Sequence, residues 1–291
     1  MKPSCTEDYV CSLSAEAEEQ ARRELREDPA TRDHALKLMR QWIAKHPDIR
    51  NCRTDAVFLL RFLRTRKFSI PQAQEMLERY LAMRETNVNW FRNLDVNDKI
   101  VNEIIERGYI VPLPERDSFG RQVIFTCIGR LDPHRYTAAH VIRAHSVVIE
   151  VLMDDEETHV CGVVNVSDKN LPMRLKGTHF ISLPTVARQM FEFFSSLHND
   201  KLKSRLKVHN TLDDFRKDYD VKILPKEYGG EVPLADMISQ FQTKMKSREA
   251  NVHALEKMHI NIRPGSKLSN EVGADDAVLG VTGSFRKLEV D

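Results

Sequence analysis

The residues best placed to do chemistry in this chain are charged, and the densest group is basic. Arg174 and Lys176 precede one apolar run, while Lys201, Lys203, Arg205 and Lys207 surround the start of another. If the two runs are neighbouring strands, these cations converge on one rim and can hold a phosphorylated headgroup; scattered surface lysines explain the same spacing. Arg61, Arg64 and Arg66 fall on the polar side of an amphipathic segment, where a solvated face is the expectation. The run Asp154, Asp155, Glu156, Glu157 could chelate a hard cation. It closes a helical stretch, however, where the dipole disfavours acids, and no second ligand cluster accompanies it, so it too is expected in solvent. His140 and His145 lie five apart, on different sides of a helix, and no metal site is expected there.

Other chemistries lack their motifs. Gly-x-Ser-x-Gly, Gly-x-Gly-x-x-Gly, P-loop and His-Glu-x-x-His patterns do not occur, so no catalytic residue can be named, and neither an enzyme nor a cofactor is expected. Cys5, Cys11, Cys52, Cys127 and Cys161 are odd in number and widely spaced, which fits reduced thiols; Cys127 and Cys161 are expected buried within apolar strands. With 44 basic against 43 acidic residues the net charge is +1, which argues against a general nucleic-acid binder. No apolar stretch approaches the ~18–20 residues of a membrane span, and the first twenty residues read as polar rather than as a secretory signal.

Helices must position the N-terminal charges. Periodicity predicts helices over 14–26 and 33–45, a third over 56–66 capped by Thr54 and Asp55, and a fourth opening on a Ser69-Ile70-Pro71-Gln72 capping box. From about Asp98 the pattern changes. Apolar β-branched runs at 121–129, 159–166, 177–183 and 205–209 read as strands, with a helix over 137–153 after the first. Residues 183–200 form an aromatic-rich amphipathic helix, read either as core or as a movable cover over an apolar pocket. A weak helix is expected over 232–254, and an irregular tail from 261. The domains are thus 12–97, helical; 98–250, a mainly parallel α/β unit; and 251–291, a tail.

Four ordered motifs carry a family likeness. DAVFLLRFLRTRKFSIPQAQEML (55–77), LPMRLKGTHFISLP (171–184), DKLKSRLKVHN (200–210) and ILPKEYGG (223–230) resemble the CRAL-TRIO lipid-transfer family, closest to its tocopherol- and retinaldehyde-binding branch. The resemblance implies a helical subdomain followed by an α/β lipid-binding domain without catalysis. It implies one hydrophobic ligand, a retinoid, tocopherol or similar lipid, beneath a gate helix at 184–203. A phosphoinositide headgroup would meet Arg66, Arg174, Lys176, Lys201 and Arg205. Pocket positions would be Ile142, His145 and Ile149 on one helix face, Phe180 on a strand, and Met190, Phe191 and Phe194 on the gate. The implied setting is cytoplasmic, with peripheral binding to phosphoinositide-bearing intracellular membranes; the competing reading is a regulatory or scaffold module without cargo.

One departure bears on all of this. The family pattern has a long, helix-bearing segment before the PMRLKG motif, whereas only residues 167–176 separate the two apolar runs here. Returning along a strand of ~23 Å with helix takes ~15 residues, so the connection either runs without a helix or the strand pairing changes. The expectation is a shortened variant, interrupted near 168–172, that lacks part of the pocket wall.

Overall fold

The structure is a computed structural model that describes residues 9–132, 134–168, 177–181, 206–209, 211, 213–215, 220–266 and 268–269. Two compact units divide the chain. One holds residues 1–95, 149–160 and 250–283, and the other holds 96–148, 161–249 and 284–291.

The first unit is helical: α1 (Ala15–Gln20), α2 (Pro29–Lys45), α3 (Ala56–Thr65), α4 (Ile70–Thr86), α5 (Val88–Phe91), the end of α7 (Ala138–Leu152), most of α8 (Glu156–Cys161), and α10 (Glu249–Ala254) from residue 250 on. Local chemistry explains the helix starts. α2 begins at Pro29 rather than at 33 because the Asp28 carboxylate accepts from the Thr31 N–H at 2.8 Å and proline fits the first turn. Asp55 caps α3 in the same way, accepting from the Phe58 N–H at 3.0 Å. At α4 the expected capping box does not form: Ser69 makes no side-chain cap bond, and Pro71 sets the first turn.

Leu36, Met39, Phe58, Leu59, Leu63, Leu77 and Leu81 form the centre of this unit's core. Leu255, Met258 and Ile260 complete it, and a short strand β7 (His259–Ile260) pairs antiparallel with β1 (Ile49–Arg50). The stretch just past the expected domain end at 250 is therefore ordered core, not tail.

Two sequence expectations are overturned here together. Arg61 and Arg64 are not on a solvated face: they are 7% and 1% exposed. Asp154 and Glu156 are not solvated either, at 8% and 4%. Arg61 donates to Glu150 at 2.7 Å and to Asp154 at 3.3 Å, while Arg64 grips Glu27 through two 2.8 Å bonds and Glu156 through one of 2.9 Å. Each set looked surplus alone because its partner lies some ninety residues away. Glu156, moreover, opens α8 instead of closing α7, so the helix dipole favours it. Tyr80 and Asn251 bond Glu150 and Asp154, and Tyr9 and Ser12 bond Glu156, so few polar atoms are left over.

The second unit contains α6 (Lys99–Glu106) and a five-stranded sheet in the order β2 (Ile110–Arg116), β3 (Gln122–Cys127), β4 (Val163–Asp168), β5 (Gly177–Ile181), β6 (Leu206–His209). β2 pairs antiparallel with β3; all other pairs are parallel. The fold is thus α/β with a mainly parallel sheet behind a helical N-terminal region, as the sequence predicts. The sequence analysis names no strand at β2; its Pro112 and Pro114 are tolerated because it lies at the edge of the sheet. Conversely, His159 to Cys161 are helical, so Cys161 is buried at a helix end instead of in a strand. β4 and β5 remain neighbours, so the short connection does not alter the pairing. Helix α9 (Leu234–Ser247) follows the ILPKEYGG stretch, where Gly230 is obligatory: a Cβ there would lie 1.7 Å from the Leu224 carbonyl oxygen.

Breaking the buried ion network is expected to cost stability heavily. Arg64→Met leaves Glu27 and Glu156 uncompensated and should lower unfolding free energy by about 3–5 kcal/mol in urea titration. Acid acts in two stages. Burial holds His159 neutral, lowering it from 6.5 to about 4, so the unfolded chain takes up that proton first and stability falls as pH drops through this window. Burial raises Glu150 and Glu156, but bonds and fields from Arg61, Tyr80, Tyr9, Ser12 and Arg64 outweigh it, leaving both below the usual 4.5. Their contribution is present above that value and lost below it. His159→Gln should therefore flatten the stability profile between about pH 6.5 and 4.5 by ~1–3 kcal/mol without removing the steeper loss below.

Candidate functional site

Helix α7 has two unlike sides. Ala144, Val147, Val148 and Val151 are fully buried on one. Ile142, His145 and Ile149, at i, i+3 and i+7, share the opposite side and are each half-buried. The pocket positions implied by the resemblance therefore form an apolar stripe on the less packed side of the helix. The division of the chain into two compact units falls within α7, after Val148.

His145 is the polar member of that stripe. Its Nε2 lies 3.1 Å from the Tyr109 hydroxyl, and the two rings meet edge to face at 5.5 Å. Its Nδ1 is buried and has no hydrogen-bond partner. Burial lowers the imidazole from 6.5 to about 4, which keeps it neutral at physiological pH. A neutral imidazole with one nitrogen held by a tyrosine and the other unspent can donate to or accept from a single polar group.

Arg66 follows α3 and is half-buried, with an Nε that lacks a partner. Consecutive left-handed residues, Lys67 and Phe68 at φ 49° and 60°, reverse the chain immediately after it. The Phe68 N–H bonds the Leu63 carbonyl at 2.8 Å and its ring packs on the core, which fixes the turn that presents Arg66. The remaining headgroup candidates, Arg174, Lys176, Lys201 and Arg205, and the gate candidates Met190, Phe191 and Phe194 lie outside the described residues; Phe180 is described as part of β5 by its backbone alone.

Sequence reasoning missed the contacts that cover one sheet face. Tyr228 of the ILPKEYGG motif sets its ring 4.6 Å from Phe125, with its hydroxyl 3.5 Å from the Cys127 sulfur. Phe215 stands edge-on to His179 and His209, whose stacked rings share a 2.9 Å hydrogen bond. Alternation within 177–183 and 205–209 could have paired those histidines once the strands were taken as neighbours.

Among the described residues no helix is long and apolar enough to cross a membrane. A family profile described as "Pinta-like, UBA domain" matches residues 28–101, and one described as "CRAL/TRIO domain" matches 106–170 and 163–230. Clavesin-1 of Xenopus laevis is 29% identical over 251 residues, covering 77% of this chain and 76% of the relative. Clavesin-2 of Homo sapiens is 29% identical over 251 residues, covering 77% of each. The crystal structure of Sfh5 superposes with a TM-score of 0.44 at 11% identity, covering 87% of this chain and 99% of that one.

The 251 aligned positions exceed 77% of 291 residues, so the clavesins hold positions without a counterpart here. The CRAL/TRIO profile matches in two pieces, 106–170 and 163–230, that overlap at the end of β4. With the profile resuming at 163 and a matching helical region ahead of it, the chain carries over 106–230 a CRAL/TRIO domain, a domain of lipid-binding and lipid-transfer proteins.

Proposed function

We propose that the protein carries a single hydrophobic ligand, a retinoid, tocopherol or similar lipid, and releases it at phosphoinositide-bearing intracellular membranes without a catalytic step. The observation that supports this reading is the half-buried stripe on α7, where isoleucines flank a neutral histidine with an unspent nitrogen. An apolar wall with one polar group is the usual lining of a site for a mostly apolar molecule. Burial of the ligand's surface at about 25 cal/mol per Å² supplies retention. Release needs a second influence, and basic residues drawn to an acidic membrane provide one.

A specific observation favours a second reading. The family profile matches in two pieces that overlap at 163–170. A pocket without part of its wall offers a ligand less apolar surface, which suits a module that senses membrane lipid or binds a protein partner.

Two measurements separate these. Native mass spectrometry of the purified chain should show a bound lipid of a few hundred daltons; a clean apo mass after gentle purification favours the module. Replacing Arg174, Lys176, Lys201 and Arg205 with glutamine should slow transfer to phosphoinositide vesicles by about tenfold or more, while the loaded fraction stays within about twofold. Reduced loading with unchanged transfer per loaded molecule would remove these four residues from the membrane-binding role.

A further inference from the structure

The turn between β2 and β3 carries the one exposed aromatic side chain among the described residues, Phe119, at 70%. A single apolar side chain on a surface ordinarily needs no explanation. This one stands on a turn that other residues specify. The Asp117 carbonyl accepts from the Gly120 N–H at 2.8 Å, with Asp first and Gly fourth as a type I turn prefers. The Asp117 carboxylate, 8% exposed, accepts from the N–H groups of Phe119 at 3.0 Å and Arg121 at 2.9 Å, and from Arg121 Nε at 2.6 Å. Arg116 donates to the Gly120 carbonyl at 3.1 Å. Gly120, at φ 71°, lies close against Cys161, whose sulfur a Cβ there would meet at 3.1 Å. The backbone is thus fixed from both sides, and residue 119 supplies it with nothing but an N–H. A polar side chain would serve the turn equally well without facing water with a phenyl ring.

The surroundings of the ring are basic. The Arg121 guanidinium lies 4.8 Å from the ring centroid, and both Arg116 and Arg121 are partly exposed. Glu115 is the exposed acid of this stretch, since Asp117 is withdrawn from water. The sheet edge on which the turn stands extends the pattern. β3, β4, β5 and β6 run parallel, and all four start at this edge, at Gln122, Val163, Gly177 and Leu206. β6 is three strands from β3, about 14 Å at ~4.8 Å per spacing. The basic residues given the membrane-binding role above precede two of these starts in the sequence: Arg174 and Lys176 before Gly177, Lys201 and Arg205 before Leu206.

We propose that Phe119 is an aromatic membrane anchor, whose ring enters the headgroup boundary of an acidic bilayer while Arg116 and Arg121 meet lipid phosphates. This rests on the membrane-release step of the carrier reading, and adds an apolar contact to one that is otherwise basic. Size favours a bilayer over a protein partner. One ring on one turn falls far short of the ~20–30 residues per side of a stable protein interface, whereas an aromatic side chain gains from burial at a lipid boundary by itself.

Flotation of the full chain with vesicles of phosphatidylcholine and phosphatidylinositol bisphosphate tests this. Phe119→Ser, a change at the surface, should weaken vesicle binding about fivefold or more. The ratio between variant and unmodified chain should change little as salt is raised, because burial of a ring is not screened. Phe119→Trp should bind as the unmodified chain does. Beyond the background of Trp42 and Trp90, it should show added fluorescence that lipids brominated on their acyl chains quench.

Binding by Phe119→Ser within about twofold of the unmodified chain overturns the anchor and leaves the membrane reading in place. An added Phe119→Trp signal that brominated lipids do not quench does the same. Failure of the unmodified chain to float with these vesicles overturns the membrane-release reading, and the anchor with it.

Discussion

Two guanidinium groups withdrawn from water constrain the helical unit more than any apolar contact. A buried arginine is tolerable only when carboxylates and further hydrogen bonds surround it, since the desolvation of each ion is repaid by its partner alone. Arg61 and Arg64 meet that condition by drawing in Glu27 and three acids from residues 150–156, with tyrosine, serine and asparagine satisfying remaining oxygens. Apolar packing would hold residues 149–160 in this unit at many registers. The forked geometry of arginine on carboxylate fits only one. The network thus supplies specificity for how residues 149–160 join this unit.

Much of the fold is legible in the sequence because it depends on local chemistry. Asp55 as a cap, Ala56 to Thr65 as a helix, and the apolar runs ending in Cys127, Asp168 and His209 as strands follow from patterns a few residues long. What failed was non-local. Arg61 and Arg64 satisfied the rule for solvated helix positions until their partners, far along the chain, were placed beside them. The acidic run failed for the matching reason, compounded by a helix boundary misplaced by a few residues: an acid at the end of one helix is unfavourable, and the same acid at the start of the next is capped. β2, absent from the sequence reading, accommodates its prolines because only one of its edges is paired.

The candidate site divides along similar lines. The stripe of Ile142, His145 and Ile149 follows from helical period alone, and the structure adds that its opposite side is the packed one. The unspent nitrogen of His145 could not be read in advance. It depends on which neighbour takes the other nitrogen's hydrogen bond, and that neighbour, Tyr109, comes from a different segment. Buried polar atoms of this kind carry information about a ligand because a core made only for stability would replace them with methyl groups.

The short connection after β4 leaves the order of the sheet unchanged. β4 and β5 pair from Val164 with Gly177 to Asp168 with Ile181, so the chain must return about 13 Å along the strand, at ~3.3 Å per residue, and move one strand sideways. Residues 169–176 can reach roughly 26 Å when extended, which closes the backbone with room to spare. A helical crossover ordinarily needs at least ~10–12 residues, more than this connection has. A connection of this length therefore suffices for the hydrogen-bond ladder without requiring a helix. The ligands of longer relatives consequently do not transfer to this chain by similarity alone, because pocket shape depends on the cover as well as on the floor. The strand register, by contrast, is fixed by the ladder from β3 to β6.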